Sequence, residues 1–160
     1  MTTKASTSPV LSLLCMVCLF WCAGAWAQSD TRSNGCPLLP ADAVDEFHWV
    51  TLQTGSALLC RAVHKESGSE AFALTVAAKS PFKPTSNLRE EEGRIHGKKL
   101  WWYRGEIAGQ PNDLVRETLV KLDSGRVVHA FIRTRDADLL TRYQTVVHGL
   151  DFTAPSVAAR

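Results

Sequence analysis

The segment Trp101-Trp102-Tyr103-Arg104, preceded by Lys98 and Lys99, is the densest group of recognition chemistry in the chain. Aromatic rings and arginine dominate binding hot spots because they bury apolar area and still offer polar tips. On a strand, neighbouring residues face opposite sides, so Leu100 and Trp102 point one way and Trp101 and Tyr103 the other. If helices cover both sides, all of these rings are core. If one side is open, Trp101, Trp102, Tyr103, Arg104, Lys98 and Lys99 supply a candidate binding patch.

A second set is chemically more varied. His64, His129, Glu117 and Arg133 lie on segments of strand character, where a charged group needs a partner. Their convergence would assemble a small-ligand site or an acid–base set. Other signals point away from catalysis. There is no Gly-x-Ser-x-Gly turn to project a nucleophile, and Gly105 and Gly109 separate two strands, so they offer phosphate no helix terminus. His48, His64, His96, His129 and His148 lie too far apart for a His-x-x-x-His pair. Glu90-Glu91-Glu92 lacks the alternate spacing and bend glycine of a calcium loop and reads as a solvated face. No catalytic residue, metal site or cofactor is assigned.

Residues 1–27 read as a secretory leader: Lys4 in a short polar start, an apolar run over residues 9–21, and Ala25-Trp26-Ala27 before Gln28. Residues 9–27 carry no charge and are long enough for an uncleaved anchor; the small-residue triplet and the sparse basic flank favour cleavage. Cys15, Cys18 and Cys22 follow Leu14, Val17 and Trp21, which disfavours a lipid anchor. The expectation is a periplasmic or secreted protein, free of the membrane once the leader is removed.

Only Cys36 and Cys60 then remain, an even pair in an oxidising compartment, and a disulfide follows. Closing that loop contributes about 3.5 kcal/mol in the chain-entropy account. The formal net charge is +2, and loss of Lys4 lowers it by one, which leaves no field to capture nucleic acid. Residues 81–135 hold eleven Lys or Arg against seven Asp or Glu, an excess that a solvated surface accounts for.

These residues need elements to hold them. Residues 28–46 form an N-terminal segment with a short helix after Pro40. Six stretches of period-two or strand-rich character follow, at 47–53, 57–65, 70–79, 99–107, 114–122 and 126–134, separated by Gly, Pro, Asn and Ser turn signals. Residues 80–92 read as a loop, with one helical turn over 88–92. After a cap at Thr134 or Asp136, Leu139, Leu140, Tyr143, Val146, Val147 and Leu150 recur at helical spacing, and Asp138 and Arg142 support the outer face. Residues 47–152 are thus expected to fold as one α+β domain: a mostly antiparallel sheet of about six strands with a C-terminal amphipathic helix packed on it, followed by a flexible tail at 153–160.

With its C-terminal DADLLTRYQTVVHGLDF, this order of elements resembles a PsbP-like α/β/α sandwich over residues 47–152. The resemblance implies an accessory or partner-binding module, often without enzymatic activity, and transfers no site residue. The leading expectation is a small non-enzymatic binding protein whose partner is another protein, such as an immunity protein or adaptor for an exported effector, bound through the sheet face or loops around Trp102 and the loop at residues 80–93. The competing expectation is an enzyme or small-ligand carrier built from His64, His129, Glu117 and Arg133. The sequence sets no oligomeric state.

Overall fold

The computed structural model describes residues 35–153; the expected leader, residues 28–34 and the tail from 154 lie outside them. Seven strands are followed by one helix: β1 (Phe47–Thr54), β2 (Ala57–His64), β3 (Glu70–Ala77), β4 (Arg89–Ile95), β5 (Lys98–Gly105), β6 (Leu114–Lys121), β7 (Val127–Thr134) and α1 (Ala137–His148). They form a single antiparallel sheet in the order β1-β2-β3-β7-β6-β5-β4. The α+β class and six of the strands lie where the alternating pattern placed them.

The seventh strand corrects the reading at residues 89–92, while 80–88 remain a loop that closes on a short helical turn at Ser86–Leu88 rather than over 88–92. Five of the seven residues of β4 are charged, so no apolar alternation announces it. Pairing with β5 makes it a strand, and its place at the sheet edge lets the charges stay solvated. His96 (φ 51°) and Gly97 (φ 73°) join β4 to β5; two successive left-handed residues match the twist of a tight hairpin.

Asp136 caps α1, its carboxylate accepting from the amides of Asp138 at 2.8 Å and Leu139 at 3.1 Å, and Gly149 ends it. Leu140, Tyr143, Val146 and Val147 are buried beneath it. Leu139 is instead 40% exposed. Arg142 reaches Asp42 and Glu46 rather than Asp138, so it ties the helix to the N-terminal segment. That segment makes turns over residues 41–46 where a short helix was expected.

The helix lies on the face that carries Leu58, Cys60, Phe72, Leu74, Val76, Val128, Ala130, Ile132 and Trp102, all buried. Cys36 and Cys60 are bonded with Cα atoms 5.8 Å apart, pinning the N-terminal segment to β2 on this same side. A bridge between Leu38 and Asp151 and a 2.8 Å bond from Trp49 Nε1 to the Pro37 carbonyl hold it further.

Two contacts are specific to the β4–β5–β6 end. Trp102 is fully buried, and its Nε1 donates to His148 Nε2 at 2.9 Å. The imidazole passes directly over β4, where a Cβ built on Gly93 would stand 2.5 Å from that same nitrogen; only glycine leaves the space. Further along, β5 and β6 pair only through Tyr103–Gly105 and Val115–Glu117. Beyond that the strands part, and side chains take over the bonding: Thr118 Oγ1 donates to the Trp101 carbonyl at 2.8 Å and Lys98 Nζ to the Lys121 carbonyl at 2.9 Å.

Thr118 is the one buried polar residue of the described core. Thr118→Val keeps its shape and strands the Trp101 carbonyl, so it is expected to lower stability by about 1–3 kcal/mol, read as a shift in urea midpoint. His148 gives a pH signature. Burial pushes its imidazole below the ordinary histidine value of about 6.5, outweighing the helix C-terminus, which favours the cation. Above that value both states are neutral and stability is complete. As pH falls below it the unfolded chain takes up a proton that the folded chain refuses, and stability declines until the depressed folded value is passed. The wild-type urea midpoint is therefore expected to drop between about pH 7.5 and pH 5, and His148→Gln to flatten that drop.

Candidate functional site

The opposite side of the sheet carries no helix among the described residues, and strand register lays out its surface row by row. One continuous row runs Val50, Arg61, Ala73, Phe131, Glu117, Tyr103 and Arg89 across all seven strands. The next runs Leu52, Leu59, Thr75, His129 and Leu119. Trp101 lies beside it on β5, paired with Glu92. Leu59, Ala73, Thr75, Leu119, Phe131, Trp101 and Tyr103 are all half-buried, the accessibility of side chains standing on an uncovered sheet.

The connection from β3 to β4 crosses this face. Four antiparallel steps separate β3 from β4, which makes them parallel to each other, so residues 78–88 must travel from one end of the sheet to the other while passing β7, β6 and β5. Phe82 fastens this strap. Its ring stacks on His129 with centroids 4.9 Å apart and planes 13° apart, and meets Tyr103 edge-on at 5.8 Å. Pro81 and Pro84 flank it and narrow the backbone choices of the strap. The Ser80 hydroxyl accepts from the Phe82 amide at 3.1 Å.

Under the ring, His129 Nε2 lies 2.8 Å from Glu117 Oε2, the two side chains 17% and 21% exposed. Gly105 gives the carboxylate its place: a Cβ there would stand 2.8 Å from Glu117 Oε1 and 2.5 Å from Val115 Cγ1. A histidine held by a carboxylate is a usable base only if a nucleophile or a substrate cavity faces it. Here Phe82 covers it, so the pair acts as a polar seat for the strap.

Strand alternation divides the six residues of the sequence-derived patch. Lys99, Trp101 and Tyr103 stand on the open side, with Arg89 Cζ 5.4 Å from the Trp101 ring centroid. Trp102 is core, Arg104 pairs with Glu90 at 3.3 Å, and Lys98 binds Asp123 at 2.6 Å. The Lys98 ammonium holds the Asp123 carboxyl below its ordinary range. Trp102 is thus removed from the surface that the sequence offered it to. A cleft of about 570 Å³ opens where β5 and β6 part, lined in part by Lys98, Lys99, Leu119, Lys121 and Asp123.

The competing set does not come together. His64 is on the helix side, 2.8 Å from the Tyr143 hydroxyl and 3.6 Å from Glu46. His129 and Glu117 meet on the other. Arg133 lies at the rim with Arg135, both paired to Asp113; hydrogen bonds from Arg135 first and Arg133 second hold that carboxyl below its ordinary range. Among the described residues no three His, Cys, Asp or Glu side chains gather as a metal site, and no helix is long and apolar enough to cross a membrane.

Sequence reasoning offered the loop at residues 80–93 without singling out Phe82, and it missed Leu59, Thr75, Leu119 and Phe131 as members of this surface. Phe82 did leave a signal, a lone aromatic between two prolines in an otherwise polar loop. Comparison with protein families, with curated proteins and with solved structures finds no match to the chain.

If one ring fastens the strap, Phe82→Ala should release it without unfolding the sheet. Tryptic cleavage after Lys79 is expected to speed up roughly tenfold, the equivalent of ~1.4 kcal/mol of lost anchoring, while the cooperative melting transition is retained.

Proposed function

We propose that this chain is an exported, non-enzymatic binding module whose partner is another protein, docked on the open side of the sheet. The observation that carries this reading is the half-buried apolar and aromatic surface from Leu59 and Thr75 through Phe131 and Leu119 to Trp101, which no helix covers among the described residues and which a strap held through Phe82 crosses. Such a surface costs solubility unless something covers it, and rings with polar edges are the chemistry that protein interfaces favour. A disulfide joining the N-terminal segment to β2 suits a domain that works outside the reducing cytoplasm. The acid–base pair that does converge, Glu117 and His129, lies under the Phe82 ring, which favours contact over catalysis. Within this reading the chain would serve as an adaptor or immunity protein for an exported effector, and the PsbP-like resemblance belongs to the same proposal.

Affinity capture from envelope extract or culture medium under mild conditions tests it. The wild-type chain is expected to retain one protein in stoichiometric amount. Leu59→Lys and Phe131→Lys, placing an ammonium toward one end and at the centre of the face, are expected to weaken that capture at least tenfold while the domain stays folded by circular dichroism. Failure to recover a stoichiometric partner, or recovery indifferent to both variants, removes the proposal.

A further inference from the structure

The two edges of the sheet are built on opposite principles. Edge strand β4 carries five charges in seven residues and an irregular register between Arg89 and Glu92. Charge and irregularity are devices that stop an edge from pairing with another chain. Edge strand β1, FHWVTLQT, has no Asp, Glu, Lys, Arg or proline, and its register with β2 is unbroken over eight residues. Two of the most exposed large apolar side chains on the described surface belong to it: Val50 at 40% and Leu52 at 57%, both on the open side.

The hydrogen-bonding phase of β1 follows from its hairpin. Thr54 and Ala57 flank the two-residue loop Gly55-Ser56 and form the closing bonded pair, so Leu52, Val50 and His48 also direct their amides and carbonyls to β2. Gln53, Thr51 and Trp49 direct theirs outward. Phe47, next in that series, confirms the phase: its amide bonds the Ala43 carbonyl, away from β2. Among the described residues no backbone partner meets the outward groups of Trp49, Thr51 or Gln53.

We infer that β1 is the seam of a two-fold homodimer, in which β1 of each copy pairs antiparallel with β1 of the other about an axis through Thr51. In that register Thr51 faces Thr51 of the second copy and Trp49 faces Gln53. About six backbone hydrogen bonds close between them. Val50 and Leu52 flank Thr51 symmetrically, so each Val50 lies opposite the second copy's Leu52, and the four side chains form one apolar cluster across the seam. No charge meets a like charge, because β1 has none. A strand whose apolar pair straddles its own midpoint is complementary to itself, which is what an isologous interface requires. The pairing would extend the open face into one surface of fourteen strands with two partner-binding halves. It uses the edge and leaves Leu59, Phe131 and Trp101 free, so it stands apart from the proposed function.

A seam of one strand pair falls at the weak end of specific interfaces. The test is sedimentation equilibrium on purified protein, as processed by the producing cell, from low micromolar to submillimolar concentration. Wild type is expected to show a monomer–dimer equilibrium. Leu52→Lys should weaken it at least tenfold, and Leu139→Lys, at an exposed leucine on α1, should leave it unchanged. A mixture of Val50→Cys and Leu52→Cys proteins should form an intermolecular disulfide faster than either protein alone, since only the mixture places the two thiols opposite each other. Both side chains face away from Cys60, so the native bond is undisturbed. A chain that is monomeric throughout, a dimer indifferent to Leu52→Lys, or cysteine coupling no faster in the mixture would each overturn the inference.

Discussion

One helix cannot cover seven strands. Six inter-strand spacings of about 4.8 Å make the sheet on the order of 29 Å wide, whereas a helix with its side chains spans roughly 10–12 Å. The arrangement of the rest of the domain answers that mismatch. On the covered face, α1 sits over the middle of the sheet, the disulfide-pinned segment from Cys36 to Phe47 fills the β1–β2 side, and Trp102 with His148 fills the β4–β5 side. Phe152 and Leu150 continue the cover past the end of the helix.

Among the described residues nothing comparable lies on the second face, which one connection crosses. Strand order forces the strap from β3 to β4 to cross the sheet, and Phe82 holds it to this face through His129 and Tyr103. The Glu117–His129 pair has the composition of a catalytic dyad and the position of a foundation. Its partners are backbone geometry at Gly105 on one side and an aromatic ring on the other, and neither is a substrate cavity.

The seam between β5 and β6 shows how a sheet can tolerate separation. Backbone pairing holds only over Tyr103–Gly105, and on the Lys98–Trp102 side of it a threonine hydroxyl and a lysine ammonium meet the Trp101 and Lys121 carbonyls. A buried carbonyl without a partner would cost more than either side chain loses by being held. The cleft there is thus a consequence of strand geometry, with Lys98 already committed to Asp123 and to the Lys121 carbonyl.

The α+β class, six strands, the capped helix and the Cys36–Cys60 pair were legible in the chain, because apolar periodicity, turn residues and an even cysteine count are local signals. Alternation even assigned Trp102 and Trp101 to opposite faces. Strand β4 was not legible: an edge strand whose charges stay largely solvated shows no apolar alternation, and only its partner β5 makes it one. Nor was the destination of Arg142, since Asp42 and Glu46 lie about a hundred residues away in sequence and beside it in space. Which tryptophan was core, which histidine met which carboxylate, and which side of the sheet stayed open were decided by tertiary structure. Those outcomes depend on strand order and on where a single helix lands, and neither is written in any one segment.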